Sequence, residues 1–474
     1  MSLASDSSQE VITKKGIPNN AHPHLQVPTV VFSLEPLQSV SSLLRTRGMG
    51  HGWSLDNLVQ MWVAEGLVVQ EKRRAIWDVG RNYFNDLLGR SFFYASDLVG
   101  YRQQYKMHGL LHKLAELISS DLCFRVEDTK MEMKLLGKHK GAQHSSLTCS
   151  DFFQPSSLEP FHRFKRLRTF MLDGLEGEIV DSGFFKKLKH LRTLHFRGLD
   201  MRFIPDAIEH LIHLRYLDGS YSKIEELPRG IAKIIGLQTI KLRGCKNLRR
   251  LPKNMKKLIE LQHLELGSDT QLMFMPPKFG NLKQLETVDV FVVGDKQGSS
   301  IAELENLKNI KGDPEGSCLT QEGVLNFQQY IKHEYMSNSH SIRQKSHLKH
   351  RSNKEEAETA KLSGKLHSEN LQLRWNQESD SQLQLEVLNS LQPHMGLKRL
   401  TIENYGHLGF SNWLADPLFS TLIELKLKDC RKCAYLPLLG QLPALEILLI
   451  NGMHELEEID STFCGFGEVG VSCH

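Results

Sequence analysis

Two sets of residues in this sequence have the types and spacing that metal chemistry uses. Cys430 and Cys433 form a single C-x-x-C pair. One polar stretch carries the histidines His333, His340, His347 and His350. A structural zinc site takes about four ligands, and no second pair follows the cysteines at a matching spacing. Scattered histidines in a polar run are typical of a solvated linker, so we predict no metal site.

Groups for covalent or acid–base catalysis are not brought together by the sequence either. No arrangement of Ser, His and Asp, of Cys and His, or of paired carboxylates falls on one predicted element. Catalysis needs such groups within hydrogen-bond reach of one another. We therefore predict that the chain is not an enzyme and acts by binding.

Leucine-rich repeats are the elements that position most of the remaining polar residues. An apolar residue followed by proline recurs at Ile204-Pro205, Leu227-Pro228, Leu251-Pro252 and Met275-Pro276, at intervals of 23, 24 and 24 residues. About a dozen residues before each pair, the segments 191–196, 214–219, 237–242 and 261–266 fit or approximate L-x-x-L-x-L. A period in the twenties with this pattern is typical of leucine-rich repeats, which stack into a solenoid. We count about ten units, some of them degenerate.

Strand alternation in each repeat turns the leucines inward and leaves the residues between them on the concave side, facing solvent. These outward residues are Thr193, His195, Arg197, Tyr216, Asp218, Thr239, Lys241, Arg243, His263, Glu265, Arg399, Thr401, Glu403, Glu424, Lys426 and Lys428. We predict that a protein partner binds this face, and first of all its early basic patch of His195, Arg197, Lys241 and Arg243. Tyr216 lies between them as an aromatic anchor, a type enriched in binding hot spots. The alternative is that these residues only form a solvated face.

Three inward positions depart from leucine. Cys245 and Cys430 each lie eight residues after the first leucine of their repeat, at the Asn/Cys position where a small polar group fits the turn. Gly219 stands where neighbouring units carry Phe196 and Leu242. A missing side chain there predicts a void, so Gly219→Leu is expected to raise the melting temperature.

Residues 53–128 have the pattern of a winged-helix module. Apolar stripes at helical spacing predict helices after Ser54, over 76–88 and over 107–118, with Ser54 as N-cap and Gly66 as the stop of the first helix. Aromatic and alternating residues between the second and third helices predict a hairpin. A winged helix can also bind DNA, but the expected exposed residues of the third helix make a poor phosphate-binding face. These residues are His108, His112, Lys113 and Glu116.

The bulk composition fits a folded binding protein. The chain has 474 residues and a formal net charge of +4, which gives no argument for nucleic acid or a membrane. It contains no apolar run of 18 residues and no secretory signal. Its eight cysteines are expected to be reduced, in the cytoplasm or nucleus.

The predicted fold class is α/β: a helical winged-helix module followed by a solenoid of about ten leucine-rich repeats. The predicted order is 1–52, disordered; 53–128, winged helix; 129–163, connector; 164–310, first repeat block; 311–352, polar disordered insertion; and 353–474, second repeat block. The insertion has few apolar residues to offset the entropy of ordering it.

Several segments resemble one family, the plant nucleotide-binding leucine-rich-repeat disease-resistance proteins with an N-terminal coiled coil. They are LVQMWVAEGLV (58–68), YKMHGLLHKLAELIS (105–119), LRYLDGSYSKIEELP (214–228), LQTIKLRGCKNLRRLP (237–252), FVVGDKQGSSIAELENLKNIKG (291–312) and SLQPHMGLKRLTIENYG (390–406). The resemblance implies an innate immune receptor that senses pathogen effectors or guarded host proteins through its repeats. It also implies ADP or ATP in a nucleotide-binding module of the full-length proteins, sensed by a Met-His-Asp motif.

This chain departs from the family pattern at the nucleotide site. No G-x-x-x-x-G-K-[ST] phosphate loop occurs, and the sensing motif reads Met107-His108-Gly109, without its Asp. Residues 1–50 match nothing in the family, and 313–352 replace a repeat. We therefore expect no cofactor in this chain and a truncated gene or gene model. The alternative is a generic cytosolic repeat scaffold or a non-functional gene product.

Overall fold

The computed structural model describes residues 53–71, 74–99, 102–118, 122–126, 141–148, 161, 163–173, 182–267, 270–293, 301–307, 309–310, 322–327, 370–375 and 381–456. The predicted disordered segment 1–52 lies outside these residues, as do His333, His340, His347 and His350. So does most of the insertion 311–352.

The first three helices and a hairpin form the winged-helix module. Helices α1 (Leu55–Glu65) and α2 (Ile76–Gly89) precede strands β1 (Phe93–Val99) and β2 (Arg102–Met107), and α3 (Gly109–Ile118) follows. The amide of Asn57 donates to the Ser54 hydroxyl 3.4 Å away, and Gly66 ends α1 at φ 78°. Both caps are where the sequence predicts them.

Aromatic rings fill the core of this module. Phe84 stacks on Phe93 with ring centroids 5.2 Å apart, and it meets Tyr105 edge-on at 4.8 Å. Trp53 exchanges two backbone hydrogen bonds of 2.8 Å with Tyr105. The ring of Trp62 in α1 lies 6.4 Å from that of Phe84, so these contacts bind α1, α2 and the hairpin into one unit.

The first repeat block is an eight-stranded parallel sheet, with one strand for each repeat. Its strands are β3 (Cys123–Val126), β4 (His144–Thr148), β5 (Thr169–Asp173), β6 (Thr193–Arg197), β7 (Tyr216–Asp218), β8 (Thr239–Lys241), β9 (His263–Glu265) and β10 (Thr287–Val288). Helix α4 (Ser182–Lys187) lies between β5 and β6. The sheet begins with β3, ahead of the predicted start at residue 164, because β3 and β4 fit the leucine pattern too poorly to be recognised.

Short return segments cover the convex side of this block. They are 3-10 helices at Asp206–His210, Arg229–Lys233, Met255–Lys257 and Phe279–Asn281; a fifth, at Ile301–Asn306, follows the first strand of the next sheet. Each apolar-Pro pair lies just before one of the first four, at a place where no amide donor is needed. The inward leucines of neighbouring repeats form one continuous core.

The second repeat block is a six-stranded parallel sheet. Its strands are β11 (Val290–Val293), β12 (Glu322–Phe327), β13 (Asn370–Trp375), β14 (Arg399–Glu403), β15 (Glu424–Lys428) and β16 (Ile447–Asn451). Helix α5 (Ser381–Ser390) and 3-10 helices at Asn412–Ala415 and Leu439–Gln441 complete it. Strand β12 lies inside the insertion for which disorder is predicted and pairs with β11 and β13, so the prediction is wrong for 322–327.

The chain passes from one sheet to the other at Asp289, between β10 and β11. The buried carboxylate of Asp289 accepts from the amides of Leu266, at 2.7 Å, and Gly267, at 3.0 Å. It also pairs with Arg243 at 3.3 Å. The predicted first repeat block, 164–310, therefore includes the change of sheet at Asp289.

Inside the first block, the Cys245 prediction is confirmed and the Gly219 prediction is wrong. The buried Cys245 thiol donates to the Gly219 carbonyl 3.1 Å away. A Cβ added at Gly219 would lie 2.4 Å from the Phe196 ring and 3.2 Å from Ile224. Phe196 already fills the expected void.

Candidate functional site: the two concave faces

The concave face of the first block is covered by the winged-helix module. Helix α1 packs against β6 and β7, and its last residue, Glu65, is buried against the sheet. Glu65 Oε1 accepts hydrogen bonds from the hydroxyls of Thr169, at 2.6 Å, and Thr193, at 2.9 Å. One carboxylate therefore joins α1 to two adjacent repeats.

Two further contacts extend this interface across the sheet. Lys241 Nζ donates to Asn57 Oδ1 at 2.5 Å. The ring of Trp77, in α2, meets the ring of His263 edge-on with centroids 4.4 Å apart. Tyr216 and Met171 are buried in the same apolar cluster as the module's own core. The module thus contacts five successive strands, β5 to β9.

Charged side chains under the module are paired with one another along the row of strands. His195 Nδ1 lies 3.2 Å from Asp218 Oδ2. Lys241 pairs with Glu265 at 2.9 Å, and Arg243 approaches the same carboxylate at 2.8 Å. Buried charges are stable only when they are paired in this way.

The electrostatic environment of this face shifts the pKa of two groups strongly. Burial alone would raise the pKa of Asp218, but attraction and hydrogen bonding by His195, with help from Lys241, hold it far below its usual value. Burial lowers the pKa of His263 to about 4, with Lys241 acting in the same direction and Glu265 opposing it. His263 is therefore neutral at pH 7 and suited to an aromatic contact.

The expectation of a solvent-facing surface is wrong for eight predicted residues. Thr193, His195, Tyr216, Asp218, Thr239, Lys241, His263 and Glu265 are all buried. Of the early basic patch, only Arg197 and Arg243 keep partial exposure. The Arg197 guanidinium lies over the Tyr221 ring, 4.4 Å from its centroid. The sequence does hold a signal of burial: acidic and basic residues stand at matching positions of neighbouring strands, as His195 and Asp218 do.

The concave face of the second block is open by comparison. Arg399, Thr401, Glu403, Glu424, Lys426 and Lys428 are partly or fully exposed. Glu424 pairs with Arg399 at 3.3 Å and with Lys426 at 2.7 Å. On β16, Ile447 and Leu449 occupy the same outward positions and are 44% and 50% exposed. An apolar strip thus borders a mixed-charge surface.

Helix α3 presents the opposite face from the one predicted. Leu110, Leu114 and Leu117 are 73%, 52% and 76% exposed, whereas His112 is buried. The spacing of apolar residues alone cannot distinguish a helix stripe that packs against the core from one that is exposed on the surface. The degenerate motif lies at the start of this helix, where His108 and Gly109 are exposed and Met107 is half-buried.

The C-x-x-C pair belongs to the repeat core. Cys430 and Cys433 are buried free thiols, and Cys433 donates to the His407 carbonyl at 2.9 Å. In the described part of the chain, no cluster of three or more His, Cys, Asp or Glu is placed to hold a metal ion. Among the helices described, none is long and apolar enough to cross a membrane.

Three family models match the chain. The model for the winged-helix domain of disease resistance proteins matches residues 49–115. A leucine-rich repeat region matches 206–312, and the R13L1/DRL21 repeats match 335–453. The winged helix and the repeats are thus each matched by a family model of their own.

Similar proteins are named for disease resistance. The Arabidopsis thaliana protein At3g14460 is 33% identical over 438 residues, covering 88% of this chain and 28% of the relative. RPP13-like protein 1 from the same plant is 30% identical over 435 residues, covering 87% and 38%. The chain thus spans about a third of these relatives. Among solved structures, the repeat ectodomain of the Arabidopsis receptor kinase GASSHO1/SCHENGEN3 is 16% identical over 67% of this chain and 36% of that one, with a TM-score of 0.39.

Proposed function

Because this chain belongs to the plant nucleotide-binding leucine-rich-repeat disease-resistance proteins, we propose that it is the sensing part of an innate immune receptor. Its partner is a pathogen effector or a guarded host protein, bound by the second repeat block. One observation carries this assignment: the module covers the first concave face and leaves the second exposed.

The chemistry of the second concave face suits a protein partner. Glu403 and Lys426 have opposite charges and side chains that are 20% and 26% exposed, and Leu449 adds an apolar contact at the side. Burial of apolar side chains contributes binding energy, whereas the surrounding charges govern association rate and choice of partner.

The covered first face has a different role in this proposal. The contacts of Glu65, Lys241 and Trp77 hold the winged helix on the repeats. In this position the repeats restrain the switch that the module belongs to.

The exposed leucines of α3 are the surface for the nucleotide-binding module of full-length relatives. Three leucines at i, i+4 and i+7 form one helix face, and Leu117 alone is 76% exposed. ADP or ATP would be held by that module, with His108 of the degenerate motif turned toward the phosphates.

Partner recognition is tested by charge reversal on the second block. The triple variant Glu403→Lys, Lys426→Glu, Lys428→Glu is screened with the unmodified chain against secreted pathogen proteins and host proteins. The control variant Glu260→Lys, Lys253→Glu, Lys257→Glu makes the same changes at exposed positions outside the strands of the first block. A partner lost only by the concave variant supports the proposal. A partner unaffected by it, or lost equally by both variants, contradicts it.

Docking of the nucleotide-binding module is tested separately. That module from a family member is supplied in trans, and its affinity is measured by biolayer interferometry. Leu114→Glu with Leu117→Glu should abolish binding, whereas Leu408→Glu with Leu418→Glu, which changes leucines of the second block that are 61% and 65% exposed, should not. Binding that persists after the α3 substitutions rules out this surface.

A further inference from the structure

A basic cleft lies at the amino-terminal ends of the first-block strands, at the edge of the interface with the winged helix. It is an open cleft of about 430 Å³, lined by Gln143, Arg166, Arg168, His190, Arg192 and His213. Five of these six side chains carry or can accept positive charge, and none of the described residues lining the cleft is a carboxylate. The partner surfaces proposed above do not include it.

The cationic side chains occupy repeating positions in the solenoid. Arg168 and Arg192 stand one residue before their strands, and Arg166 and His190 stand three residues before them. The next unit continues the rows with Arg215. In the two units after that, the same rows hold Gly236 and Gln238, then Glu260 and Gln262. The positive charge is therefore confined to three adjacent repeats.

Backbone pairing fixes the spacing within these rows. The amide of Arg192 donates to the Arg168 carbonyl at 2.6 Å, and the amide of Arg168 donates to the Gln143 carbonyl at 2.7 Å. Neighbouring strands lie about 4.8 Å apart. The rings of His190 and His213 stack in parallel, with centroids 5.9 Å apart and planes within 3°. Like-charged groups are thus held close together by the fold.

One side of the cleft touches the end of α1. Arg192 donates to the Glu65 carbonyl at 2.5 Å. The Glu65 carboxylate is directed to Thr169 and Thr193 instead, so the contact with Arg192 is made by the Glu65 carbonyl and not by its carboxylate.

We propose that this cleft binds a small anion bearing two or three phosphate groups. Guanidinium groups present a planar fork of donors that matches phosphate oxygens in a bidentate manner. The imidazole rings of His190 and His213 add further N–H donors. The volume suits a compact ligand, whereas a long acidic peptide along the same rows would reach Glu260.

The test is a titration of the full chain with tripolyphosphate by isothermal calorimetry, at about 0.1 M salt where screening is moderate. The variant Arg166→Gln with Arg168→Gln should weaken binding by about tenfold or more, the loss of one or two charge-assisted hydrogen bonds. This variant retains Arg192, because Arg192 also contacts Glu65 of the winged helix. The control Lys186→Gln with Lys187→Gln removes the same charge from exposed positions of α4 and should change affinity by less than about twofold.

Two further arms identify the source of the phosphate. Vesicles containing a bisphosphorylated inositol lipid are compared with phosphatidylcholine vesicles, and hexaglutamate is titrated as an acidic peptide. Vesicle binding that tripolyphosphate displaces assigns the cleft to a lipid headgroup, and tripolyphosphate binding without it assigns a free ligand. The proposal is overturned by no binding of tripolyphosphate, by equal losses in both variants, or by binding of hexaglutamate alone. Circular dichroism checks that each variant is folded.

Discussion

Trp77 of the winged-helix module and His263 of the repeats meet edge to face, with ring centroids 4.4 Å apart and planes at 81°. His263 is buried, and its Nδ1 lies 3.0 Å from the Thr287 hydroxyl. Burial lowers the pKa of His263 to about 4. The two parts of the chain are therefore joined at a histidine that must stay neutral.

We predict that the chain loses stability as the pH falls from 6.5 to 4. In this range the unfolded chain protonates His263, at its ordinary pKa of 6.5, and the folded chain does not until about pH 4. The free energy of unfolding should drop by up to about 3 kcal/mol from this residue alone. Urea unfolding across the range measures the change.

The variant His263→Gln isolates this contribution, because the buried His144 also has a lowered pKa. Glutamine can keep the contact with Thr287, so the variant should unfold with a shallower pH dependence. His454→Gln, at an exposed position, should keep the original slope. Equal slopes for all three proteins would show that His263 titrates normally.

Substitution of Gly219 is predicted to destabilise the first block. An added Cβ would lie 2.4 Å from the Phe196 ring, so Gly219→Leu should lower the stability by about 1–3 kcal/mol through overpacking. Thermal unfolding measures it. Gly236→Leu is the matched control, since no heavy atom outside its chain neighbours lies within 4 Å of a Cβ there. A higher melting temperature for Gly219→Leu would show that a void beside Gly219 exists and accepts the added side chain.

Removal of the Glu65 carboxylate is predicted to loosen the winged helix from the repeats. Glu65→Ala leaves the hydroxyls of Thr169 and Thr193 without their shared acceptor, at a cost of about 1–3 kcal/mol. Hydrogen exchange should become faster in α1 and α2 while β7 to β9 keep their protection. Glu71→Ala removes only a surface pair with Arg74, at 3.2 Å, and should leave exchange unchanged. Equal acceleration throughout the chain would indicate global destabilisation instead.

Asp289 is predicted to stabilise the junction of the two sheets. Asp289→Ala removes the acceptor of the Leu266 and Gly267 amides and the partner of Arg243, so we expect a loss of about 3 kcal/mol in chemical denaturation. Asp289→Asn, which keeps one acceptor oxygen, should cost less. Asp200→Ala, which breaks an exposed pair with Lys223, should cost under about 1 kcal/mol. If Asp289→Ala loses no more stability than Asp200→Ala, Asp289 does not stabilise the junction.

The repeat architecture could be predicted because its signals are local. Inward apolar residues such as Leu217 and Ile240 must be buried wherever strands alternate, and Cys245 fits the turn by its size. The strands β3 and β4 cannot be recognised from the sequence, because their inward residues, such as Phe124 and Leu147, do not repeat the L-x-x-L-x-L spacing.

The site was harder to predict, because an outward polar residue looks the same whether it meets water or another part of the chain. Strand alternation places His195 and Lys241 on the solvent side, yet each has an acid on the next strand, Asp218 and Glu265. On α3, Leu114 fits a buried stripe by spacing but is exposed. Only the packing of separate modules decides these positions.

The coverage of the first concave face has a thermodynamic consequence for any ligand long enough to span both blocks. Such a ligand competes with α1 and α2 for the surface around Thr193 and Tyr216. Its apparent affinity is the intrinsic affinity multiplied by the fraction of molecules in which the module is detached. The linkage is reciprocal, so the same ligand would drive the module off the repeats by the same factor.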